Sequence, residues 1–515
     1  GSTTYTLTDS ADVEITSGTA LIVTMSSTDK AAVNQIVNKN GTSSTGATTY
    51  NLAAAEDWAA GADASVNVVD ATGNGITTSN VATPTITSAT YDANTGALVI
   101  TGTGFLKSSG AANDIDVSKF TFTGEGSTTY TLTDSADVEI TSGTAFTVTL
   151  SSTDKAAVNQ IINKNGTSST SGTTYNLAAA EDWAAGANAA VTVADLTGNG
   201  ITTSNVAVPA MTSAAYDYSS NVLTVTGTGF LQKSGASNDI DLSKLTITGE
   251  GGATYTLTTA TNIEITSGTS FSVTLTGADL INVETLLNKN GTSAVSSTTY
   301  NLAGAEDWAA GADAAVTVAD LTSNAITVSN YVAPTITSAT FDASTNVLTV
   351  TGTNLVSNSG AANDVAVSLL TLTGEGGSYA LTSSAVEVTS ATSFSVTLNA
   401  ADQLVVRGLL NKDGTISSSA TTYNVAAAED WMAGSAASIA VADLAGNGIT
   451  VSNVQTPAIT SATYDSGILV VTGTNLFNKV GANNDIDIST LTLTGGTASA
   501  TYTITSASDV EITSA

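Results

Sequence analysis

The chain has 515 residues and a formal net charge of −32, from 44 acidic and 12 basic residues, and it contains neither cysteine nor histidine. This charge opposes binding to nucleic acid and to anionic lipid. Without cysteine the chain can form no disulfides and offers no thiolate metal ligands. Without histidine it offers no imidazole metal ligands and lacks the commonest general base of enzymes. Any bound metal must therefore take oxygen ligands, which points to calcium.

A repeat of about 125 residues organises the chain. An acidic pair followed by tryptophan recurs in segments that begin at Tyr50, Tyr175, Tyr300 and Tyr423, at steps of 125, 125 and 123 residues. A unit of this size can bury its own core. The period predicts domains at 81–205, 206–330 and 331–453. Residues 1–80 read as the C-terminal part of a repeat and 454–515 as the N-terminal part, so we expect a window from a longer array.

Taken in chain order, the repeat at 81–205 opens with runs that alternate apolar residues with threonine or other polar residues. They are TITSATY, ALVITGTGF, KFTFTG, TYTLT, VEITS and FTVTL. Alternation with period two, rich in β-branched residues, predicts strands with one buried face. In the last run, Phe146, Val148 and Leu150 are predicted to face the core.

A helix is predicted next, in SSTDKAAVNQIINKNG, because Val158, Ile161 and Ile162 form an apolar stripe. Ser152 or Thr153 can cap its start, and Gly166 fits the position after its end. The chain continues with the strand TTYNLA, a short helical turn AAAEDWAAG, and the strands AVTVAD and ITTSNV around LTGNG. Nine strands with closely spaced turns predict an antiparallel β-sandwich.

The segments PTITSATYD, LVITGTGF and VADLTGNGITTSNV resemble the bacterial immunoglobulin-like repeats of giant surface adhesins and S-layer-like extracellular proteins. The similarity covers essentially the whole chain. With the repeat, it predicts an all-β fold of tandem immunoglobulin-like sandwiches with a short helix in each. The resemblance also implies export, an extracellular or cell-surface location, and often calcium at the domain junctions.

Strand parity gives a hypothesis for such calcium sites. We define the leading pole of a domain as the end where its first strand begins, and the trailing pole as the opposite end. If every connection reverses direction, the loop 110–118 and the turn 195–200 lie at the leading pole, and the turn with Glu181 and Asp182 lies at the trailing pole. Stacked domains would then bring an acidic pair to two acidic loops of the next domain, and such clustered carboxylates favour calcium.

The candidate calcium ligands fall into three junctions. The first junction would gather Glu56, Asp57, Asp114, Asp116, Asp195 and Asn199. The second would gather Glu181, Asp182, Asp239, Asp241 and Asp320, and the third Glu306, Asp307, Asp364, Asp443 and Asn447. Ala366 replaces one aspartate, and Ser323 and Ala325 replace the glycines near Asp320, so the first junction should bind most tightly.

Simpler interpretations stand beside this one. The tryptophans Trp58, Trp183, Trp308 and Trp431 are predicted to be mostly buried core residues rather than ligand-binding ones. The turn DLTGN can be an Asx turn with glycine at positive φ, and Glu56 a solvated residue. NGT at Asn40, Asn165 and Asn290 matches an N-glycosylation acceptor, although NKNG is better explained as a helix end; Asp413 replaces the asparagine in the fourth copy.

No nucleophile–base pair, phosphate loop or basic aromatic patch is present, and the single arginine is Arg407, so we predict that the chain is not an enzyme. No stretch approaches 18 apolar residues, so we expect no membrane insertion. The main hypothesis is a structural extracellular protein: an adhesin shaft, or the building block of a surface layer or filament, stiffened by calcium. Its partners would be neighbouring copies or other surface components. The alternatives are an array of carbohydrate-binding modules that hold surface polysaccharide, and an accessory region of an exported enzyme.

Overall fold

The computed structural model describes residues 3–356, 360–437, 439–478, 485–497 and 499–512. Residues 1–80 contribute helix α1, Ser27–Ile36. The repeat at 81–205 contains β1 Thr85–Asp92, β2 Ala97–Thr103, β3 Phe120–Thr123, β4 Thr129–Thr131, β5 Ala145–Thr149, α2 Ser152–Ile161, β6 Asn176–Ala179 and β7 Ile201–Ser204.

The next two repeats carry the same elements in the same order. The second contains β8 Ala210–Asp217, β9 Val222–Thr228, β10 Leu245–Thr248, β11 Thr254–Thr256, β12 Ser270–Thr274, α3 Gly277–Leu286, β13 Asn301–Gly304 and β14 Ile326–Ser329. The third contains β15 Thr335–Asp342, β16 Val347–Thr353, β17 Leu370–Gly374, β18 Gly377–Ala380, β19 Ser393–Thr397, α4 Ala400–Leu409, β20 Asn424–Ala427 and β21 Ile449–Ser452. Residues after 453 add β22 Ala458–Asp465, β23 Ile468–Thr474, β24 Thr492–Gly495 and β25 Ala500–Thr503.

Each of these three repeats folds into two sheets. In the repeat at 81–205, a four-stranded sheet has the order β5-β2-β1-β7, and a three-stranded sheet has the order β4-β3-β6. All pairings are antiparallel except that of β7 with β1, which is parallel. Seven strands divided four and three are typical of immunoglobulin-type sandwiches. The predicted fold class, tandem immunoglobulin-like sandwiches with a short helix in each repeat, is confirmed.

Two of the nine predicted strands do not form in this repeat. VEITS and AVTVAD each make only isolated bridges, Ile115 with Val138 and Ala179 with Asp195. Other backbone N–H groups of these runs bind carboxylates: Ile140 donates to Asp114, and Val193 donates to Glu181. A buried or half-buried N–H needs only one acceptor, so these side chains replace the sheet ladder.

The helix forms where it was predicted but with different ends. Ser151, rather than Ser152 or Thr153, caps α2 by accepting a hydrogen bond from Asp154 N at 3.1 Å. The helix ends at Ile161, so Gly166 lies beyond its C-terminal cap. None of the helices in the described ranges has the length and apolar character needed to span a bilayer.

The core is built around tryptophan in the three repeats that hold all seven strands. Trp183 is fully buried, packs against Phe105, Phe120 and Phe146, and donates its Nε1–H to Val193 O at 2.6 Å. Trp308 and Trp431 are equally buried, which confirms the prediction for them. For Trp58 it is wrong, because this ring is 51% exposed. The repeat positions of Phe105 and Phe120 have no counterpart among residues 1–80.

Candidate functional site: the junctions between repeats

The Glu-Asp-Trp turn lies at the leading pole, opposite to the predicted position. Strand β6 pairs with β3 so that Ala179 faces Phe120, and Asp116 N donates to Trp183 O at 2.9 Å. The turn is therefore a neighbour of the loop 110–118 in its own domain. The predicted pole was wrong because VEITS does not form a strand, so β5 and β6 run opposite to their predicted directions. AVTVAD does not form a strand either, and β7 therefore runs in its predicted direction.

The glutamate of this turn is satisfied within its own repeat. Glu181 accepts hydrogen bonds from Val193 N and Ala194 N, each at 3.0 Å. The copies Glu306 and Glu429 bind the two equivalent amides, and Glu56 binds the first of them, that of Val68. The next residue adopts a left-handed backbone, with φ of 63° at Asp57, 67° at Asp182 and 66° at Asp307, which aspartate tolerates better than most residues. The acidic pair shapes a turn.

The aspartate at the turn 195–200 ties that turn to the first strand. Asp195 accepts Ile86 N through Oδ2 at 2.9 Å and the Asn199 side chain through Oδ1 at 3.0 Å. Asp320 and Asp443 repeat this arrangement, the latter with Asn447. Ser323 adopts φ of 73° in place of the glycine. The substitutions near Asp320 therefore leave its hydrogen bonds to the first strand and to the turn in place.

The aspartates of the loop 110–118 also bind backbone of their own domain. Asp114 is buried and accepts Ser108 N and Ile140 N, while Asp364 accepts Val388 N. Burial raises the pKa of Asp239, the counterpart in the second repeat, to about 6 against the opposing hydrogen bonds from Lys233 N and Ile265 N.

The second aspartate of that loop caps a short 3₁₀ turn. Asp116 accepts Ser118 N at 3.1 Å, and Asp241 accepts Ser243 N at 3.0 Å. Ala366, in the third repeat, has no side chain that can do this.

The predicted calcium ligands are therefore not gathered across a junction. The glutamates of the turn and the aspartates of the two loops accept hydrogen bonds from backbone amides of their own repeats. Among the residues that the structure describes, no three acidic side chains lie close enough to hold a metal ion. The residues do not fit the proposed interdomain clamp. Calcium binding by this chain stays a prediction without that ligand set.

A different carboxylate occupies the junction between the repeats at 81–205 and 206–330. Glu125, between β3 and β4, lies at the trailing pole and is 1% exposed. Its Oε2 accepts Asn163 Nδ2 at 3.0 Å, Thr170 Oγ1 at 3.1 Å and Ser171 N at 3.1 Å. Its Oε1 accepts Ser234 N of the next repeat at 3.0 Å.

The protonation state of Glu125 follows from this surrounding. Burial alone would raise the pKa of the carboxyl group, but the hydrogen bonds from Ser171, Ser234 and Asn163 outweigh it and lower the pKa to about 2. At neutral pH the junction therefore encloses a fully ionised carboxylate with donors from both repeats.

Further contacts cross the same junction. Asn163 Nδ2 also donates to Gln232 O at 2.8 Å, and Gln232 N donates to Gln160 O at 3.0 Å. Lys164 Nζ lies 3.7 Å from Asp313 Oδ1. The preceding junction repeats part of this pattern, since Asn38 Nδ2 donates to Lys107 O and Lys107 N to Gln35 O.

A glycine permits the close approach at Glu125. Gly126 has φ of 59°, and a Cβ at this position would lie 2.4 Å from Ser234 Cβ. The sequence held a signal for this contact, since the triplet Gly-Glu-Gly begins at Gly124, Gly249 and Gly374. A glutamate between two glycines, in a strand-rich repeat with few charged residues, is visible in the sequence. Our sequence analysis did not identify it.

No protein-family model matches the sequence, and no curated protein matches it. Among solved structures, one on Dscam isoform specificity is 10% identical over 73% of this chain and 74% of that chain, with a TM-score of 0.15. A marsupial T cell receptor is 9% identical over 62% and 92%, with a TM-score of 0.14. The BSP domain of a biofilm associated protein is 13% identical over 62% and 61%, with a TM-score of 0.12. Likenesses this low carry no argument about function; the strand order of the two sheets defines the fold.

Proposed function

We propose that this protein is a non-catalytic structural repeat protein of the cell surface or extracellular matrix, in which tandem sandwiches form an adhesin shaft or the building block of a surface layer or filament. The observation that carries the proposal is the junction at Glu125, where one buried carboxylate takes donors from two successive repeats.

This junction supports a structural role because it restrains the angle between domains. Domains joined by a short linker move relative to each other unless their interface is extensive. Here only residues 205–209 separate β7 from β8, and the linker amide of Val206 donates to Asn165 Oδ1 at 3.0 Å. Bending the junction would separate Ser234 N from Glu125, and the loss of a donor to a carboxylate that stays buried is costly in a low-dielectric environment.

The edges of the four-stranded sheets support contacts between neighbouring copies. The edge strands β5, β12 and β19 read AFTVT, SFSVT and SFSVT and contain no charged residue. Charges are a common means of protecting an edge from pairing with another chain. We propose that lateral contacts between copies use these edges, and that the resemblance to surface adhesin and S-layer-like repeats reflects a shared location.

Calcium is a separate proposal, because the loops at the leading pole remain rich in carboxylates. Titration calorimetry of the full chain against calcium tests it, with magnesium as the competing ion. Absence of binding heat at millimolar calcium would end this part of the proposal and leave the structural role as it stands.

The structural role is tested by locating the protein and measuring its shape. Immunogold electron microscopy of the producing cells should place it on the surface or in the matrix, and small-angle scattering of the full chain should give one extended shape that does not vary with salt. A cytoplasmic location, or scattering typical of freely hinged domains, would contradict the proposal.

A further inference from the structure

We propose that Asn40, Asn165 and Asn290 are N-glycosylation sites, so that each of three successive junctions carries a glycan at its rim. The inference rests on the proposed export of the protein, because the sugar donors for this reaction face the exported side of a membrane.

The sequence restricts the acceptor motif to one point of the repeat. The chain has 38 asparagines, and only Asn40, Asn165 and Asn290 have serine or threonine two residues later. All three read Asn-Gly-Thr, a pattern that glycosyl transfer to asparagine requires. Because the chain is rich in serine and threonine, the motif could have arisen at many positions. Its restriction to one point of the repeat makes these asparagines candidates for modification.

The geometry leaves the acceptor atom available. The three asparagines are exposed, and each binds the linker through oxygen alone: Oδ1 accepts the N–H of Val81, Val206 or Tyr331 at 2.9–3.0 Å. Within the described part of the chain, the Nδ2 groups make no hydrogen bond. The hydroxyl groups of Thr42, Thr167 and Thr292 are equally free there, and these threonines are exposed.

Two simpler explanations of the asparagine do not account for it. It does not end the helix, because α2 stops at Ile161 with its cap at Ile162. The bond to the linker requires an oxygen and not an amide, since Asp413 in the fourth copy accepts Val454 N at 2.9 Å. A carboxylate therefore serves the structural role, and the amide nitrogen is left for another one.

The reaction joins Nδ2 to the anomeric carbon of the first sugar. The donor is a sugar carried on a polyprenyl phosphate or pyrophosphate. The N–C bond forms as the bond between the anomeric carbon and the phosphate oxygen breaks, Nδ2 loses one proton, and the lipid phosphate leaves. The hydrogen bond at Oδ1 holds the exposed side chain beside the linker, and Nδ2 makes no hydrogen bond to the described part of the chain.

The experiment is peptide mass spectrometry on protein isolated from the cells that produce it. Lys39, Lys164 and Lys289 stand directly before the three asparagines, and Lys412 before Asp413, so trypsin places the four copies on separate peptides. We expect sugar masses on the peptides that begin at the three asparagines and none on the peptide that begins at Asp413. Bare peptides, or only the mass shift of deamidation, would overturn the inference.

Two variants in the producing cells make the test specific. Asn165→Asp copies the fourth repeat, keeps the linker bond and removes the acceptor; Thr167→Ala removes the hydroxyl group. Each should abolish the sugar on that peptide alone, and unglycosylated Asn165→Asp protein should melt at the same temperature as the parent. Sugar retained on the Asn165→Asp peptide would show linkage through serine or threonine and overturn the assignment.

Cell fractionation separates this inference from the proposed function. Bare protein found at the surface overturns the glycosylation alone, whereas protein retained in the cytoplasm overturns both.

Discussion

Glu125 Oε1 accepts a hydrogen bond from the backbone N–H of Ser234 at 3.0 Å, across 109 residues of sequence and the boundary between two sandwiches. The same carboxylate binds Asn163, Thr170 and Ser171 of its own repeat through Oε2. Because one buried group serves both repeats, the stability of the domain and the stiffness of the junction are coupled at this residue.

Glu125→Ala should loosen the junction. It removes the acceptor of the buried Asn163 amide and of the part-buried N–H groups of Ser171 and Ser234, and a fully buried donor left unpaired costs about 1–3 kcal/mol. We expect broader interdomain distances in small-angle scattering and a lower melting temperature. Ser234→Ala is the matched control, since the donor is a backbone N–H that the substitution keeps. Equal scattering from Glu125→Ala and the parent would show that the linker alone sets the angle.

Gly126→Ala should perturb the same junction by contact rather than by charge. A Cβ there would meet Ser234 Cβ at 2.4 Å, whereas Gly198, with φ of 87°, has nothing within 4 Å of the equivalent position. Both substitutions strain a left-handed backbone by about 1–2 kcal/mol. Only Gly126→Ala should change the distance between spin labels on the two repeats, and a change of similar size in Gly198→Ala would contradict this.

Acid should weaken the Glu125 network only at low pH. Its pKa is lowered from 4.5 to about 2, so its contribution to stability is fully present above pH 4.5 and is lost as the pH falls toward 2. The measurement is the free energy of unfolding between pH 2 and pH 7 for the parent and for Glu125→Gln. We expect the two curves to converge at the acid end; curves that stay parallel would assign the carboxylate no electrostatic role.

Removal of the core tryptophan should have a large effect in one repeat and a small one in another. Trp183 is fully buried between three phenylalanine rings, so Trp183→Ala should cost about 3–5 kcal/mol in that repeat. Trp58, which is 51% exposed, provides the contrast, and Trp58→Ala should change the melting profile little. Similar losses in both variants, measured by calorimetry, would mean that the exposed ring is covered in solution.

A charge on an edge strand should reduce contacts between copies. Thr147 lies on edge strand β5 and Thr90 on the inner strand β1, and both side chains are exposed. Thr147→Lys should lower the association measured by sedimentation, because a lysine on an edge opposes strand pairing. Thr90→Lys adds the same charge away from an edge and should have less effect. If both variants associate like the parent, the edges are not the contact.

The local pattern of residues was sufficient for much of this fold. Alternating residues such as Phe146 and Val148 face the core as predicted, because a strand places successive side chains on opposite faces whatever its partners are. The apolar stripe of Val158 and Ile161 buries α2 for the corresponding helical reason. The period of the sequence also gives the length of the folded unit, because each repeat carries its own apolar strand and helix faces.

The tertiary structure alone decided which segments become strands and which carboxylates meet. Val138 and Val193 belong to runs with good strand patterns, yet Asp114 and Glu181 bind backbone N–H groups in these two runs, and the pole of the Glu-Asp-Trp turn changes as a result. The junction at Glu125 depends on Ser234, 109 residues away. A backbone group can be satisfied by a distant carboxylate as well as by a neighbouring strand. Residue patterns along the chain therefore determined the sheet layers, whereas three-dimensional proximity determined the contacts between segments.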